Sequence, residues 1–156
     1  MTTNKKEKLG VLIPGMGSVA STFICGVLAC NKNLAKPVGS MTQMGSIRLG
    51  KRTEDRTPLI KDFAKTVPMK NLVFGGWDIN DENVYEIAIR SAVLEKNLLD
   101  ELKPDLEQIR VFKAVFDKGY VRRLNGDWIK KGKNKLDLAN QVIKDIEEFR
   151  NINGTS

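Results

Sequence analysis

The feature that most constrains this chain is a change of pattern near its start. Leu9-Gly10-Val11-Leu12-Ile13 is a short, nearly continuous apolar run that follows a charged beginning. Without polar alternation, such a run reads as a strand buried on both faces, the parallel type. Pro14-Gly15-Met16-Gly17 stops it. From Val19 the period turns helical, with Val19, Ala20, Phe23, Ile24, Val27 and Leu28 on one face, and residues 33–37 end the helix. A strand, a glycine turn and a helix in that order point to an α/β fold with a parallel sheet.

The rest of the chain continues the alternation. Residues 38–41 are expected to begin a second strand, and the polar, glycine-rich, basic stretch 39–58 is expected to be a long irregular excursion. Leu72-Val73-Phe74 is the next strand candidate, running into Gly75-Gly76-Trp77-Asp78. Asn80 or Asp81 then caps a helix whose core face is Val84, Ile87, Ala88 and Val93 or Leu94, with Asp81 and Glu82 in its first turn. A second helical piece spans about residues 98–109, a β-like segment covers 110–116, and a basic loop covers 118–135. The last element is a helix with Leu136, Ala139, Ile143, Ile146 and Phe149 on one stripe, ended by Asn153-Gly154. With 156 residues and no internal repeat, one domain is expected.

Composition removes several chemistries. The chain has no histidine, which excludes Ser-His-Asp and Cys-His triads, imidazole acid–base catalysis and every His-ligated metal site. Cys25 and Cys30 are too few for a disulfide framework and fall on different sides of a helix, so they read as small buried hydrophobes in a reducing compartment. Lys5, Lys6 and Lys8 before an apolar stretch ending Val27-Leu28-Ala29-Cys30 imitate a lipoprotein leader. Pro14, Gly15 and Gly17 break that stretch, Ser18, Ser21 and Thr22 dilute it, and a cytoplasmic protein is expected.

Gly15-x-Gly17-x-x-Ala20 between strand and helix has a physical reading. The first glycine makes the tight turn, the second lets backbone approach a pyrophosphate, and the small Ala20 lets helix pack on strand. The acid that usually follows about 20 residues on is absent. No Asp or Glu occurs from Ser18 to Thr53, and the first acid at a strand end is Asp78. Either the ribose-binding acid is displaced by the excursion, or the site takes a 2′-phosphate, for which Arg48, Lys51 and Arg52 are available. Residues 45–51 have phosphate-loop spacing, but Arg52 stands where Ser or Thr must hold magnesium, which rejects an NTPase. The net charge of +7 is modest, and the basic loop with Tyr120, Arg122, Arg123, Trp128 and Lys130 reads as a solvated loop, a flap over a phosphorylated ligand or a nucleic-acid surface. The residues alone therefore also admit a non-catalytic nucleotide- or nucleic-acid-binding module.

Several stretches together resemble one family, the inositol-3-phosphate synthases (myo-inositol-1-phosphate synthases). They are Gly15-Met16-Gly17-Ser18-Val19-Ala20-Ser21-Thr22, Gly39-Ser40-Met41-Thr42-Gln43, Gly76-Trp77-Asp78-Ile79, the helix with Tyr85, Arg90, Ser91, Val93 and Leu94, and Gly132-Lys133. The Ser-Met-Thr-Gln and Gly-Trp-Asp-Ile sequences are more specific than the glycine loop. The likeness runs from Leu9 onwards and covers the N-terminal part of the family's length.

The resemblance implies a Rossmann-like NAD-binding domain, here residues 1–156 and partial, without the family's later α+β domain for catalysis and oligomerisation. It implies isomerisation of D-glucose 6-phosphate to 1D-myo-inositol 3-phosphate by oxidation, intramolecular aldol closure and re-reduction, with NAD regenerated. Position by position it implies that Gly15, Met16, Gly17, Ser18, Val19 and Ala20 cradle the pyrophosphate and that Asp78 holds the adenosine ribose. It also sets Ala114 and Val115 beside the cofactor. Ala114 stands where some relatives have Ser, which leaves a backbone or apolar contact there. The family's catalytic lysines and acids lie in the later domain, so no residue here is assigned a catalytic role. A homo-oligomer, by resemblance a tetramer, is expected, with no nucleic-acid partner, no membrane and no metal site.

Overall fold

The computed structural model describes residues 8–64 and 66–155. Of the residues singled out above, Lys5 and Lys6 lie outside them. Three strands, β1 (Leu9–Pro14), β2 (Leu72–Asp78) and β3 (Arg110–Lys113), form one sheet in the order β1-β2-β3, and both pairings are parallel. Leu9 pairs with Leu72 and Pro14 with Trp77, while Gly75 pairs with Arg110 and Asp78 with Lys113. Parallel neighbours need crossovers. The first contains helix α1 (Ser18–Asn31), and the second is made by α4 (Val84–Ser91) and α5 (Lys96–Leu106). Those three helices pack on one another and on one face of the sheet.

Alternation along β2 separates the two faces. Phe74 meets Phe23 of α1 edge-on at 5.7 Å between ring centroids, on the face where Ile24, Cys25, Val84, Ile87, Leu99, Leu102 and Leu106 form the core. Its neighbour Gly75 points the other way. There α6 (Lys135–Asn153) lays the buried Phe149 ring into a notch formed by Gly10 and Gly75. A Cβ on Gly75 would stand 2.7 Å from that ring, so the glycine makes room for the phenyl group.

Several expectations are corrected. Residues 38–41 do not begin a strand: Pro37 to Ser40 form a turn, and Met41–Met44 make a one-turn helix, α2. The excursion then folds on itself, with antiparallel bridges Ser46–Leu59 and Leu49–Arg56 before α3 (Ile60–Phe63), which packs on α2. The cap of α4 is Asn83 rather than Asn80 or Asp81. Its side chain accepts from the Glu86 amide at 3.0 Å, and the Glu86 carboxylate accepts from the Asn83 amide at 2.9 Å, a reciprocal capping box. The helix ends at Ser91, where Ala92 turns left-handed, so Val93 is exposed while Leu94 packs on the core.

The regular pairing of β3 stops at Lys113: the Ala114 amide is shared between the Asp78 carbonyl of β2 at 3.1 Å and the Trp128 carbonyl at 3.2 Å, and Ala114 bridges to Ile129 of the returning loop. The last helix is present and Gly154 ends it in the left-handed region, but its inward face is rotated. Leu136, Ala139, Ile143 and Ile146 are exposed, and only Phe149 of that stripe is buried. Leu138, Val142, Asp145 and Phe149 face inward instead.

Candidate functional site

All three strands end on one side of the sheet, and a cleft of about 690 Å³ opens there. Gly15 and Gly17 line it from the turn after β1, Asp78 and Asn80 from the end of β2, and Ala114 and Val115 from the chain after β3. This is where ligands bind in open α/β sheets, outside the carboxyl ends of the strands.

The turn owes its shape to two glycines with different tasks. Gly15 has φ +89°, a left-handed conformation that side chains disfavour, and its amide extends the strand ladder to the Trp77 carbonyl at 2.8 Å. Gly17 has an ordinary φ of −78° and precedes the first turn of α1. A Cβ built there meets nothing within 4 Å, so packing inside the protein does not require glycine. No side chain caps α1 and no acid occupies its first turn. The helix therefore keeps unsatisfied amides and its positive end toward the turn.

Asp78 ties the site together. One carboxylate oxygen accepts the Met16 amide at 2.9 Å. The other accepts the Asn80 backbone amide at 3.0 Å and its side-chain amide at 3.2 Å. A carboxylate offers about four lone-pair sites, so acceptor capacity remains for a hydroxyl donor from the cleft.

Behind this acid lies a buried polar cluster. The Trp77 indole donates to Asp145 at 2.6 Å, and Lys130 reaches both oxygens of the same carboxylate at 3.0 and 2.8 Å. The Lys130 and Asp145 side chains are only 10% and 12% exposed. The loop is sewn to the sheet around them: the Lys130 amide donates to the Ala114 carbonyl at 2.8 Å and the Trp128 amide to Ile79 at 2.9 Å. Lys113 stands 4.5 Å over the Trp128 ring. The most aromatic part of the basic loop is thus engaged within the protein.

Of the residues expected at a cofactor, Gly15, Gly17, Asp78, Ala114 and Val115 come together around the cleft. Met16 is fully buried and contributes an amide already bonded to Asp78. Ser18, Val19 and Ala20 form the first turn of α1 without lining the cleft: Val19 is exposed, and Ala20 is packed against the core. Arg48, Lys51 and Arg52 sit on the folded-back excursion, away from the lining. Among the described residues the cation that does line the cleft is Arg90, which sequence reasoning did not place there, as it did not place Leu124 and Val142. Arg90 donates through Nε at 2.9 Å and Nη2 at 2.6 Å to the two oxygens of Glu82. That hydrogen-bonded carboxylate, and more weakly Asp78, hold the guanidinium charged beyond its ordinary range. Among the described residues no group of His, Cys, Asp and Glu could hold a metal, and no helix is long and apolar enough to cross a membrane.

Residues 9–156 match the NAD-binding family model described as myo-inositol-1-phosphate synthase. The chain is 42% identical over 147 residues to inositol-3-phosphate synthase 1 of Bacteroides thetaiotaomicron, covering 94% of this chain and 34% of the relative. It is 34% identical over 169 residues to a probable inositol 3-phosphate synthase isozyme 3 of Arabidopsis thaliana, covering 97% of this chain and 32% of that protein. The crystal structure of inositol-3-phosphate synthase from Caenorhabditis elegans superposes with a TM-score of 0.77 at 26% identity, over 93% of this chain and 32% of that one. The chain spans about a third of the length of the relatives it matches. It belongs to the myo-inositol-1-phosphate synthase family, and what it carries is the family's NAD-binding part.

Proposed function

We propose that this chain is the cofactor-holding part of an inositol-3-phosphate synthase, serving the isomerisation of D-glucose 6-phosphate to 1D-myo-inositol 3-phosphate. The observation that carries the reading is the bond from the Met16 amide to Asp78, which sets a ribose-binding acid against a glycine turn and an uncapped helix N-terminus. The residues fit a dinucleotide. Gly17 leaves open space where backbone must approach a pyrophosphate, and Asp78 retains acceptor capacity. Gly15, Gly17 and the amides of Ser18, Val19 and Ala20 would hold the pyrophosphate. Asp78 would hold the adenosine ribose, with Met16 fixing its orientation, and Ala114 and Val115 would line the apolar side. When bound, NAD supplies reversible hydride acceptance, and this chain's residues bind and orient it.

Proton transfer in this reading belongs to the part of the relatives' length that the chain does not span. A homo-oligomer in the cytoplasm completes the proposal. The test has two arms. Calorimetric titration of NAD into the chain is expected to show saturable binding, and absence of binding overturns the cofactor assignment. Phosphorus NMR with NAD and glucose 6-phosphate is expected to show no product from the 156-residue chain and product once the family's C-terminal part is supplied. Turnover by the chain alone refutes the division of labour.

A further inference from the structure

Arg90 lies in the last turn of α4, where a basic side chain would ordinarily serve the helix's own C-terminal carbonyls. It does not. Its side chain runs back along the helix, the direction in which helical side chains lean, and reaches Glu82, eight positions earlier and just ahead of the Asn83 cap. There it joins the lining of the cleft beside Asp78.

The pair has little to do for stability. The Arg90 side chain is 57% and that of Glu82 27% exposed, and ion pairs this accessible contribute about 0–1 kcal/mol. Nor does the helix start need Glu82, since Asn83 and Glu86 close the capping box between themselves. What the pair does control is charge at the cleft. A guanidinium beside a ribose-binding acid is the group that accepts a 2′-phosphate in dinucleotide sites, because its planar fork matches phosphate oxygens. Here that fork is already closed on two carboxylate oxygens.

We propose that Arg90 is a latent 2′-phosphate receptor and that Glu82, by occupying and neutralising it, helps set the site for a dinucleotide with a free 2′-hydroxyl. The inference rests on the dinucleotide reading of the cleft and deepens it. Asp78 repels the phosphate directly. Glu82 is a positioning residue that acts through Arg90 by removing the one cleft-lining cation, among the described residues, able to offset that repulsion.

The experiment titrates NAD and NADP separately into the full chain and its variants by calorimetry, with intrinsic tryptophan fluorescence, to which the cleft-lining Trp77 contributes alongside Trp128, as a second readout. Glu82→Gln keeps size and removes charge, and Glu82→Ala removes the clamp altogether. Either is expected to raise the ratio of NADP to NAD affinity by about tenfold, the scale of one additional charge-assisted hydrogen bond to phosphate. Adding Asp78→Asn to Glu82→Gln is expected to raise it further, and adding Arg90→Met is expected to abolish the increase. An unchanged ratio in both Glu82 variants, in proteins that still bind NAD, overturns the proposal and leaves the cofactor assignment standing. So does an increase that survives Arg90→Met. If the parent chain binds neither dinucleotide, the cofactor assignment falls and the proposal with it.

Discussion

The carboxylate of Asp78 accepts the backbone amide of Met16 at 2.9 Å, across 62 positions of sequence. The acid that closes β2 and the turn that follows β1 are therefore one unit, and a change at Asp78 acts on the turn as well as on the cofactor it is proposed to hold.

That double duty separates two substitutions. Asp78→Ala removes the acceptor of the Met16 and Asn80 amides, and orphaning a partly buried donor costs about 1–3 kcal/mol. Asp78→Asn keeps an oxygen for the Met16 amide but removes the charge and turns an NH2 toward the Asn80 amide, so only one of the two sets of partners survives. Both are expected to weaken NAD by about tenfold or more, and Asp78→Ala, which orphans the Met16 amide as well, is expected to lower the melting temperature further than Asp78→Asn. Equal NAD affinity in parent and variants by calorimetry would contradict the assignment.

Glycines in the two strand-end segments should respond in opposite ways. A Cβ on Gly76 collides with the Ile13 carbonyl and comes within 2.8 Å of the Met16 sulfur, so Gly76→Ala is expected to cost about 3 kcal/mol or more in urea unfolding. A Cβ on Gly17 meets nothing, and Gly17→Val is expected to cost only about 1 kcal/mol while abolishing NAD binding. A Gly17→Val protein that binds NAD normally would contradict the assignment of Gly17 to the pyrophosphate.

How much of this was legible depended on which residues face inward. β1 and β2 could be read from their apolar runs and α1 from its helical period, although the inward face of α1 is Ala20, Ser21, Ile24, Cys25, Val27 and Ala29, with Val19 and Phe23 exposed. The glycine turn could be read because chemistry restricts who can stand there. The phase of α6 was hidden: its inward face carries Asp145, which the indole of Trp77 and the ammonium of Lys130 require, while Leu136, Ile143 and Ile146 point outward. A hydrophobicity pattern ranks those residues the wrong way round. Arg90 was missed for a related reason, since its partner lies eight positions away and outside the helix, beyond the usual three- or four-residue pair spacing.

The buried cluster yields its own test. Removing one member of a buried ion pair strands the other, at a cost of about 3–5 kcal/mol. Asp145→Asn and Lys130→Met are each expected to fall in that range, and the double variant is expected to recover part of the loss. A double-mutant cycle by urea denaturation measures it. Additive losses would mean the two groups are independent.

The two thiols differ in burial and therefore in reactivity. Cys25 is fully buried, and burial pushes its pKa from 9.0 up to about 11, whereas Cys30 is half-buried. Iodoacetamide is expected to label Cys30 first in the native protein. Because the folded pKa is the higher one, the contribution of Cys25 to stability is complete below pH 9 and is lost as pH rises toward about 11. The pH slope of unfolding in that window is expected to be shallower in Cys25→Ala than in the parent.

Parallel pairing of β1 with β2, Leu9 against Leu72, also dictates an order of events during synthesis. A chain leaving the ribosome presents the glycine turn early, yet neither the neighbour of β1 nor the acceptor of the Met16 amide exists until Asp78 has emerged. Helix α1 can form in the interval, but its anchorage to a sheet cannot. The nascent chain must carry an unpaired apolar strand through translation of the whole excursion, a window in which a chaperone has something to hold.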